Sequence, residues 1–356
     1  MGIPVALYTS GVLVVHERVV ASRNGGARQR SRGQECSTID DKVRCEQWSL
    51  RRTASVANSG YGRGSRSYQM GSYWCLWDED GGRCMVVDAV EAPRVVDLSF
   101  AALSAGEKIS CVIVIEDGEG LVCGTSQGRL LKIALANDSV LQETRLSEHP
   151  VDYIWHDDHA GGYVVLTSRD STVYQFAQWG SAMSLSQYKI QLPGEVVGAS
   201  LSADGQYLCV ADRRKIHFYR WEMRATPFRS MVVCQDQVDD DGITRIAWDR
   251  AGRMVLVCTT GRVMCYDTRD HWISVVARQP HKLVEWSPVG NLFLVGQHRY
   301  GTLLSVYEHN DRGHWSSLGY TDIATKFGIS RVEQMAVMKN QVHLLHSDCY
   351  ESFAME

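Results

Sequence analysis

"SLSADGQYLCVADRRKIHFYRWE", running from Ser200 to Glu222, is the stretch whose reading decides the fold. Apolar and polar residues alternate along it, the period of a half-buried strand. It turns sharply at Asp204-Gly205 and ends with Phe218, Tyr219 and Trp221. The same plan returns in "ITRIAWDRAGRMVLVCTTGRVMCYDTR" (Ile243 to Arg269), which has turns at Gly252 and Gly261. It returns again in "KLVEWSPVGNLFLVGQHRYGTLLSVYEH", with Trp286, Gly290, Gly301 and Tyr307. Upstream, "ISCVIVIEDGEGLVCGTSQGRLLKI" and "VDYIWHDDHAGGYVVLTSRDSTVYQF" repeat it, turning at Gly118 to Gly120 and at Gly161 to Gly162.

The central glycines recur at roughly 38 to 47 residues, the period of a four-stranded propeller blade. Such a blade is apolar on both faces and cannot bury both alone. Blades therefore stack radially, and the ring closes so that no long edge stays unpaired. The expected fold is all-β: a single β-propeller of about seven four-stranded blades over residues 1–356, the last blade shared between the two chain ends. Gly205, Gly252 and Gly290 are expected to be structural turn residues, because hairpin turns often require positive φ. Trp155, Trp248 and Trp286 are expected at one equivalent position, near the end of the first strand, packing between blades.

The first fifth of the chain is less regular. "KVRCEQWSLRRTASVANS" (Lys42 to Ser59) and "GSYWCLWDED" (Gly71 to Asp80) are expected to pair as strands of one early blade, with "PVALYTSGVLVVHE" supplying outer strands before it. Two disordered insertions, at 20–40 and 60–70, are expected from their Gly, Arg and Ser content. A start inside a strand is what a truncated gene product would show.

Composition sets the remaining limits. Of the 356 residues, 44% are hydrophobic and 22% charged, and the net charge of −4 supplies no electrostatic reason for nucleic acid or membrane as the main partner. The eleven cysteines include no C-x-x-C pair, and Cys111, Cys123, Cys209, Cys258 and Cys265 fall inside apolar alternating runs. They read as buried reduced thiols of a cytoplasmic protein. No stretch approaches the roughly 18 uninterrupted apolar residues of a span, so membrane contact is expected to be peripheral.

Candidate chemistry is sparse. "HDDH" (His156 to His159) has metal-ligand residue types but falls where the blade plan needs a turn. The histidines of "HLLH" (His343 to His346) fall on opposite faces of a strand, which separates them as joint ligands. "QDQVDDDG" (Gln235 to Gly242) lacks the spacing and closing Glu of an EF-hand loop and reads as an exposed loop. No catalytic residue, metal site or cofactor is expected. "RRTAS" (Arg51 to Ser55) resembles a basophilic-kinase site with Ser55 as phosphate acceptor. "GYGRGSRSY" with Arg28, Arg30 and Arg32 resembles RNA-binding Arg-Gly-Tyr segments, although a solvated insertion explains it more simply.

"LSADGQYL", "WDRAGRMV" and "WSPVGNLF" resemble the (W/F)SPDG turn of the WD-repeat family, and "SVYEH" and "MCYDTR" resemble degenerate forms of its closing Trp-Asp strand. No blade keeps an intact Trp-Asp, so the resemblance is to a divergent member. A narrower likeness lies in the order "ALYTSGVLVVHE", "CEQWSLRRTASVANSG", "SYWCLWDED", "LVCGTSQGRLLKI", "ITRIAWDRAGRMVLV". It is similar to the N-terminal propeller of the large subunit of the Golgi Rab guanine-nucleotide-exchange complex. This resemblance implies a non-catalytic scaffold with a small β-sandwich partner subunit and a Rab GTPase as partners. It also implies peripheral association with Golgi membranes and a role in endosome-to-Golgi retrograde transport, with exchange activity belonging to the complex. The competing reading is a WD-repeat scaffold of an RNA-processing or ribosome-related assembly whose Arg/Gly-rich loops touch RNA.

Overall fold

The computed structural model describes residues 50–56 and 66–355, apart from 71, 79–81, 89–92, 102, 116–117, 158–161, 180–181, 192–194, 221–228, 232–241, 279–280, 282, 299–300, 311–313 and 348. The described strands form seven antiparallel four-stranded sheets arranged as a β-propeller. Blades 1 to 6 span 66–97, 109–145, 153–191, 198–231, 243–277 and 283–322, and in each the strands pair in chain order. Blade 7 takes three strands, Gln334–Met338, Gln341–His346 and Cys349–Met355, from the end of the chain and its outermost strand, Leu50–Val56, from the beginning.

Burial along the strands shows why this sequence makes blades. The second strands Gly120–Thr125, Gly162–Thr167 and Met254–Thr259 are buried at every position, because a neighbouring blade covers each face. The outer strand Ser139–Arg145 instead alternates between half-buried and exposed positions, as a solvated edge does. The core is a ring of clusters between blades, the largest of which runs continuously through blades 1, 2 and 3. Trp155, Val164 and Leu166 of blade 3 meet Leu201, Leu208 and Val210 of blade 4. Trp74, Leu76 and Met85 of blade 1 meet Ala336, Met338 and Leu345 of blade 7, which closes the circle. At that junction the side-chain amide of Gln69 imitates a backbone: its Nε2 donates to Val337 O at 2.6 Å and its Oε1 accepts from Val337 N at 3.0 Å.

The early segments depart from the sequence expectation. Leu50–Val56 does not pair with the Trp74 strand; it pairs with Cys349–Met355, in the register Arg52↔Phe353 and Ser55↔Glu351. Its own residues lack a neighbour-specific pattern, and closing the ring satisfies the otherwise bare edge of blade 7. Within the expected insertion 60–70, Arg66–Met70 is the inner strand of blade 1 and pairs with Tyr73–Trp77. Packing of Tyr68 against two core clusters and the Gln69 amide bonds outweigh the loop-like composition there. Residues 60–65, the expected insertion at 20–40, Arg28, Arg30, Arg32 and "PVALYTSGVLVVHE" lie outside the described residues.

The tryptophans also divide. Trp248 packs back on Phe218 of blade 4, with ring centroids 6.0 Å apart, and Trp286 donates from Nε1 to Ala247 O of blade 5 at 3.2 Å. Trp155 faces forward, onto blade 4. His156 pairs with Tyr163 at the register where Trp248 pairs with Val255, so the histidine occupies the tryptophan position in blade 3. A one-residue change of phase flips a strand's faces.

Candidate functional site

Three successive turns join the first and second strands of blades 4, 5 and 6 on one face of the ring, and they share one construction. The residue after the first strand caps the turn through its side chain. Ser202 Oγ accepts from Tyr207 N at 2.9 Å, Asp249 Oδ1 from Arg253 N and Met254 N at 2.8 and 2.9 Å, and Ser287 Oγ from Asn291 N at 2.9 Å. Three residues on, Gly205, Gly252 and Gly290 have φ of 66°, 63° and 91°, and each N–H donates to the carbonyl of its capping residue at 2.9, 3.2 and 3.1 Å. The turns touch: a Cβ on Gly252 would lie 3.8 Å from the Asp204 carboxylate of the neighbouring blade.

These turns surround one end of the central channel. A cavity of about 400 Å³ there is lined by Tyr68, Trp155, Arg245, Trp248, Glu285 and Trp286, among others. A second cavity, of about 370 Å³, occupies the other end, and Ser67, Tyr68, Tyr153 and Gln334 line both. Tyr153 stacks on Trp155 with centroids 5.5 Å apart and planes 4° from parallel. Burial pushes the Tyr153 hydroxyl up to about 12.

Arg245 crosses the channel wall from blade 5 to blade 6, donating from Nη1 to Val284 O at 2.7 Å and from Nη2 to Glu285 Oε1 at 2.6 Å. Burial pushes the Glu285 carboxyl up, and Arg245 opposes that shift. Because the two charges answer each other, the pair fastens adjacent blades and leaves little free charge to recognise a ligand inside the channel. Further polar groups stand at the mouth. Burial raises the Asp249 carboxyl despite its two backbone donors, and partial desolvation lowers the Arg250 guanidinium. Trp248 Nε1 is buried without a hydrogen-bond partner among the described residues. On the adjoining turn Val289 is 81% exposed, the most exposed large apolar side chain among those described.

No family model matches the chain, and no curated protein does. The solved structures do speak. In fold, the chain is similar to one from the crystal structure of a mitotic checkpoint complex. The TM-score is 0.62 with 11% identity, and the match covers 93% of this chain and 98% of that one. Since 1609 solved chains match in this way, the likeness fixes architecture and leaves function to the residues.

The other singled-out residues are dispersed. Ser55 lies on the outer strand of blade 7, with Oγ 3.3 Å from Glu351 Oε1. His156 belongs to a strand and meets Tyr163 edge-on at 5.5 Å, while Asp158 and His159 lie outside the described residues, as do 235–241. His343 is buried, its Nδ1 is 2.8 Å from Tyr350 Oη, and burial pushes it down to about 4. Cys111, Cys123, Cys209, Cys258 and Cys265 are all buried free thiols, with burial raising each; Cys111 and Cys258 reach about 12. No described helix is long and apolar enough to cross a membrane. Reasoning from sequence missed Arg245, Glu285, Arg250 and Val289. The signal was present in the residues flanking each Trp-containing turn, but a single strand does not reveal which of them face the axis.

Proposed function

We propose that the chain is a non-catalytic scaffold that binds another protein across the channel mouth formed by the turns of blades 4, 5 and 6. The observation that carries this reading is the exposed Val289, on the blade 6 turn that follows Trp286, at the end of the ring where Asp249 and Arg250 of the blade 5 turn line the cavity. An apolar centre with partly desolvated charges and aromatic rings at its border is the composition of a protein-binding hot spot. The Ser202, Asp249 and Ser287 caps hold the turns rigid, so little ordering entropy is lost on docking. The similar solved chain comes from a complex, which agrees with an assembly role.

The sequence resemblance narrows the proposal to the large subunit of a guanine-nucleotide-exchange complex for a Golgi Rab GTPase, acting with a small β-sandwich partner. Affinity purification tests both levels. The narrow reading requires recovery of such a partner, a lowered GTP-bound fraction of one Golgi Rab when the protein is lost, and release from membranes by high salt or alkaline carbonate. Recovery of nuclear or ribosomal assemblies alone would remove the Golgi assignment. If no protein is captured at all, the scaffold reading fails as well.

A further inference from the structure

The turn at the outer end of blade 7 carries a constellation unrelated to the channel mouth. His346 and Cys349 are directly opposed across the hairpin, and Glu351 lies two residues along the same strand. Opposed residues share a face of a sheet, and so do residues i and i+2. One imidazole, one thiol and one carboxylate therefore crowd together, with ligand atoms all within 4.8 Å of one another. On the closing strand Ser55 is opposite Glu351, and its Oγ is 3.7 Å from Cys349 Sγ.

Two of these groups each hold one buried atom that makes no hydrogen bond. His346 Nε2 and Glu351 Oε2 are both shielded from solvent without a hydrogen-bond partner among the described residues. They stand 3.6 Å apart, too far for a hydrogen bond. That distance is close to the separation of about 3.4 Å that nitrogen and oxygen ligands subtend at a tetrahedral zinc ion. Arg52 Nη2 also approaches Glu351 Oε2, at 3.1 Å, but it donates to Phe327 O at 3.0 Å and lies over the Phe327 and Phe353 rings. It can stay as an outer partner of the carboxylate while an ion takes the inner side.

We propose that His346, Cys349 and Glu351 bind one zinc ion at the seam where the ring closes. A nitrogen, a sulfur and an oxygen donor together favour zinc over magnesium or calcium, which take oxygen ligands. The thiolate and carboxylate supply two negative charges to balance the ion. Cys349 releases its thiol proton to solvent on binding, and the fourth position, beside Ser55, is left to water. The ion would pin the hairpin turn beneath the closing strand. This inference is independent of the partner-binding proposal.

The test uses the full chain, stripped of metal and titrated with zinc and with cobalt(II) as a spectroscopic probe. The expected result is one equivalent bound, thiolate-to-cobalt charge-transfer bands with tetrahedral d–d bands, and a rise in thermal midpoint with free zinc. Cys349→Ser and His346→Ala should each weaken zinc at least about tenfold, the size of loss that even outer-shell changes produce. Should those variants fold poorly, the wild-type cobalt spectrum still decides, because only a sulfur ligand gives the charge-transfer bands. Absence of one-equivalent binding, a cobalt spectrum without sulfur ligation, or stoichiometric binding unchanged in both folded variants would each overturn the assignment.

Discussion

The Thr53 and Ser352 hydroxyls, at opposite ends of the described chain, share a hydrogen bond of 2.7 Å. It is one stitch in the pairing of Leu50–Val56 with Cys349–Met355, where Arg52 also reaches Glu351. Every other blade is sealed by hairpins between neighbouring strands, whereas this one depends on a contact that forms only when the whole ring is in place. Closure by a distant strand makes the stability of blade 7 a property of the complete propeller.

Changes on the closing strand should therefore be felt globally. Ser55→Glu sets a second carboxylate opposite Glu351 and should lower stability by about 1 kcal/mol, as like charges in opposed positions do. Ser55→Ala removes one partly exposed hydrogen bond and should cost less. Thermal midpoints in metal-free buffer check this. A phosphate on Ser55 would add still more negative charge at the same place, so phosphorylation is expected to loosen the seam.

Gly290→Val should destabilise by about 1–3 kcal/mol, because a β-branched residue is held at φ 91° by a turn bonded at both ends. Crowding is not the cause: an added Cβ at Gly290 meets nothing within 4 Å. Gly82 has the same open surroundings without a left-handed φ, so Gly82→Val is the control and should change the midpoint little. Equal effects at the two sites would show that conformation is not what selects glycine. The same strain is expected at Gly205 and Gly252.

The contrast between these turns and the closing strand shows what a sequence makes legible. At Ser202 to Gly205 and Asp249 to Gly252 the cap, the hydrogen bond and the left-handed residue lie within four positions, so local chemistry writes the turn out in full. Leu50–Val56 carries no such mark, because its partner is chosen by ring geometry. Arg66–Met70 looked like a loop by composition, and tertiary contacts of Tyr68 and Gln69 override that. The alternation around Trp155 was plain, but its phase was not: the face depends on strand register, as His156 at the tryptophan position shows. His346 and Cys349 were visible as residue types, and only the two-residue turn between them brings them opposite each other.

The pH response should carry the signature of Glu107. Burial alone would raise its carboxyl, but hydrogen bonds from Arg129, Thr125 and the Ser104 N–H bring it down to about 2, from 4.5. The native state then binds fewer protons than the unfolded chain between those values. The stabilisation is fully present above pH of about 4.5 and is lost as pH falls through about 2. Glu107→Gln should cost about 3 kcal/mol near neutrality, because Arg129 loses a buried carboxylate partner and its other carboxylate, Glu143, is half-exposed. The gap between wild type and variant should narrow as pH falls from 4.5 toward 2, which denaturant midpoints measured across that range would show. A gap independent of pH would mean that the carboxylate charge does not carry the stabilisation.

The channel mouth gives the test with most bearing on function. Val289 is exposed and makes no contribution to the core, so Val289→Glu should leave the thermal midpoint within about 0.5 kcal/mol of wild type. If this turn is the centre of a docking surface, the same change places a charge where a partner must be desolvated. It should weaken capture by about 2 kcal/mol or more, roughly thirtyfold. Arg250→Glu, which reverses a partly desolvated charge on the same turn as Trp248, should act in the same direction. A substitution on the far rim, Leu141→Glu, provides the comparison, since Leu141 is equally a surface apolar residue, 50% exposed, but lies on the outer strand of blade 2. Partner binding lost with Leu141→Glu and kept with Val289→Glu would move the interface from the mouth to the rim. Binding lost with Val289→Glu and Arg250→Glu alone places the partner across blades 5 and 6, over the open end of the channel.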